Sequence, residues 1–333
     1  MRRLILAAVA SLVPGAAVAQ DCTPFAAPVL DLAFKSRYAQ DDATRSELDP
    51  VRAAAAEAAL GPLDDFVSDM TARTDEAIAS GDRQAAACVL AELAHWARAD
   101  SLSDLGTQTV ELTISSRLAG LALVAGQVGP AGDSSDFADV SAWLSRRMDA
   151  QMVFWETAPD GAAQGNLRAW AALAGAAVAL VTDDAVTRGW AAWSVSYVGC
   201  TAAPDGSLPQ EMRRGELALH YQLHAVAPLV VAAALLDRQG VSVMDKCGRA
   251  LDRVVGFTLR DVAAGGAESA ALAGVPQSVA GGLEALDDFQ LSWGEAWLQL
   301  RSDAALEQVI SARRPLRYSK LGGDQTRIWS GGR

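Results

Sequence analysis

Apolar residues in this chain recur at spacings of three and four, and no run alternates with the period of two that a sheet requires. Cys88, Leu90, Leu93 and Trp96 follow the helical spacing, and so do Val140, Trp143, Leu144, Met148, Met152 and Trp155. Ala, Leu, Glu, Asp and Arg fill the positions between them, which suits helices further. Breaks are expected at Gly61-Pro62, Gly81-Asp82, Gly129-Pro130, Pro159-Asp160-Gly161, Pro204-Asp205-Gly206, Gly240 and Gly281-Gly282. Between them lie about ten helices with short connections, so the chain is all-α and built of antiparallel hairpins. No fixed repeat is visible, and periodicity alone leaves a closed ring and an open solenoid both possible.

The first residues are a separate matter. Met1-Arg-Arg is a positive start, Leu4 to Val13 an apolar core, and Ala17-Val18-Ala19 a small-residue cleavage site. Residues 1–19 thus read as a secretory leader, too short to span a bilayer, and residues 20–333 as one domain delivered to the periplasm or beyond. No later apolar run reads as free of charge for long enough to cross a membrane, so no membrane insertion is expected. Cys22, Cys88, Cys200 and Cys247 allow three pairings in an oxidising compartment. The pairs 22–88 and 200–247 are favoured because each ties a loop or chain end to a helix, and buried free thiols are the alternative.

A net charge of −12, made more negative by loss of Arg2 and Arg3 with the leader, argues against nucleic acid as a partner. It also repels a polyanion at long range, so binding one would need the basic side chains gathered into a groove. Arg37, Arg45, Arg168, Arg213, Arg214 and Lys320 are the candidates.

Chemistry concentrates between Asp205 and Pro228, where a Gly/Pro turn runs into an apparent helix carrying Arg214, His220, Tyr221 and His224. On one continuous helix Arg214 and Tyr221 would lie two turns apart on a face, with His224 within about 60° of Tyr221. A cation, a phenol and an imidazole would then share one space. The apolar run Val226 to Leu236 would bury the rest of that helix.

The segment Asp205-Gly-Ser-Leu-Pro-Gln-Glu-Met-Arg-Arg214, with Tyr221 seven positions on, resembles the mannuronate-specific alginate lyases of polysaccharide lyase family 5. Residues Cys88 to Leu123, the segment Asn166-Leu-Arg-Ala-Trp170 and the C-terminal Arg314 to Thr326 resemble their counterparts in the same order. The resemblance implies an incomplete α/α toroid, helical hairpins around a substrate cleft, and β-elimination on a 4-linked uronate polysaccharide. It implies that Asn166 and Arg214 neutralise the sugar carboxylate and that Tyr221 serves as acid and possible base. A phenol needs a nearby cation to favour its phenolate, and Arg214 is expected to provide it. Arg37 or Arg45 takes the part of a basic substrate contact, and Arg168, Trp170, His220 and Trp293 join as substrate-binding candidates. No cofactor is expected.

The chain departs from the family at Leu167, where a catalytic His is the rule. One reading moves the imidazole to His224, or less readily His220. The other makes the chain a degenerate lyase that binds or guides an exopolysaccharide, with export machinery as a further partner. In either case the polymer is acidic. Glu216, His220 and His224 recur every fourth residue, yet three successive turns of one helix cannot close around a metal ion, so no metal site is expected. Gly322-Gly323 lacks the Lys of a nucleotide loop, and no G-x-S-x-G elbow is present.

Overall fold

The computed structural model describes Cys22 and residues 25–331; the leader expected at residues 1–19 lies outside them. The main helices are α1 (Pro50–Ser80), α2 (Arg83–Arg98), α3 (Ser115–Val128), α4 (Ser134–Glu156), α5 (Asn166–Thr182), α6 (Ala185–Cys200), α7 (Ala218–Arg238), α8 (Lys246–Ala263) and α9 (Gly294–Leu300). Among the described residues, sheet is confined to two short pairs, Asp31–Leu32 parallel to Asp104–Leu105 and Arg317–Tyr318 antiparallel to Gly323–Asp324.

Helices α3, α5, α7 and α9 pack side by side as an inner layer, and α2, α4, α6 and α8 pack around them as an outer one. This is the α/α toroid arrangement, with α1 lying against α2 and α3. Sequence decides the layer. In α5 every residue from Arg168 to Ala179 is buried, and in α7 every residue from Ala225 to Leu236, so both are apolar all round as a core helix must be. Outer α4 buries only a stripe, Val140, Trp143, Leu144, Met148, Gln151 and Trp155. Small side chains let α5 and α6 approach closely: a Cβ at Gly175 would stand 3.2 Å from that of Ala191.

Three sequence expectations change. Gly61-Pro62 does not break α1, which continues through Pro62 because Leu63, Phe66, Val67 and Met70 behind it are buried. The stretch Gly215–Arg238 is long and apolar enough to cross a membrane, contrary to the reading of the sequence, but most of it is buried inside the protein. Trp293 is 1% exposed and donates its indole N–H to the Gln290 carbonyl, so it is a core residue and not a stacking surface. The favoured disulfides, Cys22–Cys88 and Cys200–Cys247, are the ones formed.

Candidate active site

Arg214 is not on the helix that carries Tyr221. Gly215, at φ 54°, turns the chain into a single 3₁₀ turn, Gly215–Leu217, and α7 begins only at Ala218. The cation reaches the phenol by folding back: its guanidinium carbon stands 3.6 Å from the centre of the Tyr221 ring. Nε donates to the Thr44 carbonyl at 3.0 Å and Nη2 to that of Arg45 at 2.7 Å. Arg45 therefore contributes a backbone oxygen, while its side chain is exposed; it is not the basic contact expected of it.

The loop that supplies those carbonyls is held together by Asp42. Its carboxylate accepts from the backbone N–H groups of Thr44, Ser46 and Glu47 at 2.6 to 2.8 Å, and the bonds from Glu47 and Thr44 hold it well below the usual carboxylate range. The same loop presents Arg37 and Tyr38. Tyr38 hydrogen-bonds hydroxyl to hydroxyl with Tyr221, and Arg37 lies 5.5 Å from the centre of the Tyr38 ring.

Tyr221 is buried. Burial pushes its phenol up, with a further rise from Tyr38, against the pull of Arg214 and then Arg37. Arg214 thus opposes the rise without reversing it, and Tyr221 is a neutral phenol, contrary to expectation.

His220 sits edge-on to Tyr221, with ring centres 5.1 Å apart, and is stacked on His224 at 6.3 Å. Burial, then Arg37 and Arg214, lowers its affinity for a proton. His224 is held well below the usual histidine range by burial and by Lys320, His220, Arg37 and Arg117. Its Nε2 accepts the Trp170 indole N–H at 2.9 Å. An indole can only donate, so the neutral ring carries its proton on Nδ1. His224 therefore offers an N–H and no free lone pair, which argues against its expected role as replacement base. Trp170 is buried beneath it and edge-on to Tyr318, and so acts through His224 rather than as a substrate contact.

Lys320 completes the cationic wall. Burial, Arg117 and Arg37 push its ammonium down to about 8 against the pull of Asp64. Arg117 binds Asp64 through Nε at 2.9 Å and Nη2 at 2.8 Å. The groove required of an acidic protein is thus built from Arg37, Arg214, Lys320 and the paired Arg117. Arg213 is exposed and stands outside it.

Asn166 starts α5, buried against Glu211. Its backbone N–H donates to Oε1 of Glu211 at 2.6 Å, and Nδ2 spans both oxygens at 3.1 and 3.0 Å. Burial pushes Glu211 up to about 7 despite the Asn166 bonds and the charge of Arg214. In this arrangement the Asn166 amide is committed to Glu211, so its link to Arg214 runs through that carboxylate. Leu167 packs into an apolar cluster with Leu112, Trp155, Ala163 and Ala171. Arg168 is buried among aromatic rings of α4 and α6 and is not part of the Tyr221 groove. Glu216 lies exposed in the 3₁₀ turn ahead of α7, so it shares no helical stripe with His220 and His224.

Sequence reasoning missed Tyr38, Glu211 and Arg117 as members. Tyr38 adjoins Arg37, Glu211 stands three residues before Arg214, and Arg117 opens the family-like Arg117-Leu-Ala-Gly; each lay within a segment already singled out.

The family model for alginate lyases matches residues 37–268, from Arg37 through the whole Tyr221 segment. A polysaccharide lyase of Stenotrophomonas maltophilia (strain K279a) is 28% identical over 300 residues, covering 86% of this chain and 84% of its own. An alginate lyase of Azotobacter vinelandii is 28% identical over 312 residues, covering 90% and 81%. Among solved structures, alginate lyase A1-III from Sphingomonas species A1 superimposes with a TM-score of 0.74 at 22% identity, over 92% of this chain and 86% of that one. A single-residue variant of that enzyme complexed with a tetrasaccharide gives a TM-score of 0.78.

Proposed function

Because the chain belongs to the alginate lyase family and is a polysaccharide lyase, we propose that it cleaves a 4-linked polyuronate of the mannuronate type by β-elimination centred on Tyr221. The observation that carries the proposal is the Arg214 guanidinium laid over the Tyr221 ring, with Tyr38 hydrogen-bonded to the same phenol, inside a cationic groove of an acidic protein.

A uronate C5 proton is acidic only when the C6 carboxylate is neutralised, and Arg37, Lys320 and the remaining Nη1 of Arg214 are the donors for it. Tyr221, having released its proton to solvent as the phenolate that Arg214 and Arg37 favour, takes the C5 proton. The C5–H electrons form the C4–C5 double bond as the C4–O4 bond breaks, and Tyr221 returns the proton to O4. Tyr38 donates to the phenolate before it takes the C5 proton and again after it has protonated O4. One residue can serve both steps only where the proton and the leaving oxygen share a face of the ring, as in mannuronate. The committed Nε2 of His224 supports that choice, because the imidazole offers no second base. His224 instead keeps its Nδ1–H as a donor. Asn166 and Glu211 position Arg214 from beneath.

A second reading, a protein that binds polymer without cutting it, is favoured by Leu167, which removes the family imidazole and packs as an apolar residue. Incubation with polymannuronate, polyguluronate and glucuronan, followed by the ultraviolet absorbance of the unsaturated product, tests both. Product from polymannuronate above the others is expected; binding without product on any polymer would favour the second reading. A periplasmic or secreted setting is supported by the leader at residues 1–19 and by the two disulfides, which need an oxidising compartment. Export machinery remains the partner proposed for a biosynthetic role.

A further inference from the structure

Away from the Tyr221 groove, α6 carries Trp190, Trp193 and Tyr197 at helical spacings of three and four. Trp193 is 53% exposed and stacks on Tyr197, with ring centres 5.3 Å apart and planes 28° from parallel. An exposed indole of this size is unusual on a monomer surface. Beneath the rings lies Arg168, reaching across from α5. Its guanidinium carbon is 4.4 Å from the ring centre of Trp193, 5.2 Å from Tyr197, 5.3 Å from Trp190 and 5.6 Å from Trp155.

This guanidinium is held and left without an anion. Nε donates to Ser194 Oγ at 3.2 Å and Nη1 to the Trp155 carbonyl at 3.5 Å. Among the described residues no carboxylate pairs with it; burial lowers its proton affinity, opposed by the phenol of Tyr197. Arg117 is paired with Asp64 and Arg314 with Glu295 and Glu307, whereas Arg238 lies over Trp329 with the Ile328 carbonyl as its acceptor. A desolvated cation without a counter-charge is costly to keep, and it is the feature of a site that receives a negative group from outside. Nη2 makes no hydrogen bond among the described residues and is not among the polar atoms sealed from solvent.

We propose that this surface is a second polysaccharide-binding site, separate from the Tyr221 groove, which holds one acidic sugar of a long polymer. The C–H face of the pyranose lies on Trp193 and Tyr197, as sugars do on aromatic rings that keep one face wet. The carboxylate is drawn by Arg168. The first turn of α5 joins the two sites: Asn166 faces Glu211, Leu167 enters the apolar cluster that Trp190 and Tyr197 pack against, and Arg168 faces the rings. Leu167 is thus a wall of this second site. The proposal rests on the polysaccharide lyase reading for its ligand, and on the unpaired charge for the preference for an acidic one.

The test uses Trp193→Ala, an exposed position, and Trp193→Ala with Tyr197→Ala. Titration calorimetry with long polymannuronate, with its carboxyl-reduced form and with a tetrasaccharide is run on each in the Tyr221→Phe background, where the polymer is not consumed. Affinity for the long polymer is expected to fall about fivefold or more in Trp193→Ala, with the tetrasaccharide unchanged. Carboxyl reduction of the polymer, which weakens the Tyr221 groove in parent and variant alike, should shrink the affinity ratio between them. With Tyr221 present, KM for the polymer should rise by a similar factor at constant kcat. Unchanged polymer affinity in a folded Trp193→Ala protein overturns the proposal. So does an equal loss for tetrasaccharide and polymer, which would make the rings part of the catalytic groove. Failure of the lyase reading is separate: it appears as no unsaturated product from the parent protein, and the calorimetric comparison still decides this site.

Discussion

Tyr221 is pulled in two directions, and the balance between them sets its chemistry. Burial and Tyr38 favour the neutral phenol; Arg214 and Arg37 favour the phenolate. Replacing Tyr38 by Phe removes a donor to the phenolate while leaving ring packing intact, so kcat should fall about tenfold with little change in KM. An unchanged kcat would place Tyr38 outside the reaction. Lys320 gives a pH signature of its own. Its ammonium loses the proton near pH 8, well before an ordinary lysine, so KM for a polyanion should rise above about pH 8. Lys320→Arg, which keeps its charge, should remove that rise, and a rise that persists in the variant would assign it elsewhere. Of these residues, Tyr221 and Arg214 were singled out in the sequence by motif spacing, and Arg37, as one of two alternatives with Arg45, by family resemblance. The Asn166–Glu211 bond was not, since residues 45 positions apart meet only in the fold.

At the scale of elements, the helices were legible and the turn before α7 was not. Helical periodicity survives in sequence because one face, or for α5 and α7 the whole surface, is buried. Nothing in that periodicity separates a helix starting at Gln210 from one starting at Ala218; Gly215 at positive φ does, and its conformation is not written in its neighbours. The turn is held by Gln277, whose Nε2 donates to the Gly215 carbonyl at 3.1 Å while Oε1 accepts the Leu219 N–H at 2.9 Å, and the segment ahead of it by Gln222, whose Oε1 accepts the Leu208 N–H at 3.0 Å while Nε2 donates to the Gly206 carbonyl at 3.3 Å. Gly206 itself has φ 99°, and a Cβ there would fall 2.0 Å from the Arg253 carbonyl oxygen. Gly206→Ala should cost on the order of 3 kcal/mol in denaturant unfolding and displace Arg214. A variant as stable as its parent would mean that α8 yields at Arg253. Glu211 adds a pH effect on the same turn. Folded it titrates near 7, against an unfolded value near 4.5, so the native state keeps a proton that the unfolded chain has released between those values. Stability therefore falls as pH rises from about 4.5 to 7 and stays lower above, and Glu211→Gln should flatten that limb of the unfolding curve.

The whole molecule sets a negative field around a positive groove. Net charge of −12 repels a polyuronate from afar, whereas Arg37, Arg214 and Lys320 attract it on contact. Salt separates the two by distance, since the screening length is about 30 Å at 0.01 M, 10 Å at 0.1 M and 3 Å at 1 M. Turnover of polymer at low substrate should therefore peak near ~0.1 M salt, where the outer repulsion is screened and the groove is not. A steady decline from the lowest salt would mean that the groove dominates at every distance. The central claim is that Tyr221 moves the proton within this groove, and Tyr221→Phe tests it most directly: unsaturated product and calorimetric polymer binding are measured on the same preparation. The account predicts product formation lower by a factor of about 10² to 10⁴ with polymer affinity unchanged. Turnover within a few-fold of the parent protein would contradict it and move the acid–base role to another residue of the cleft.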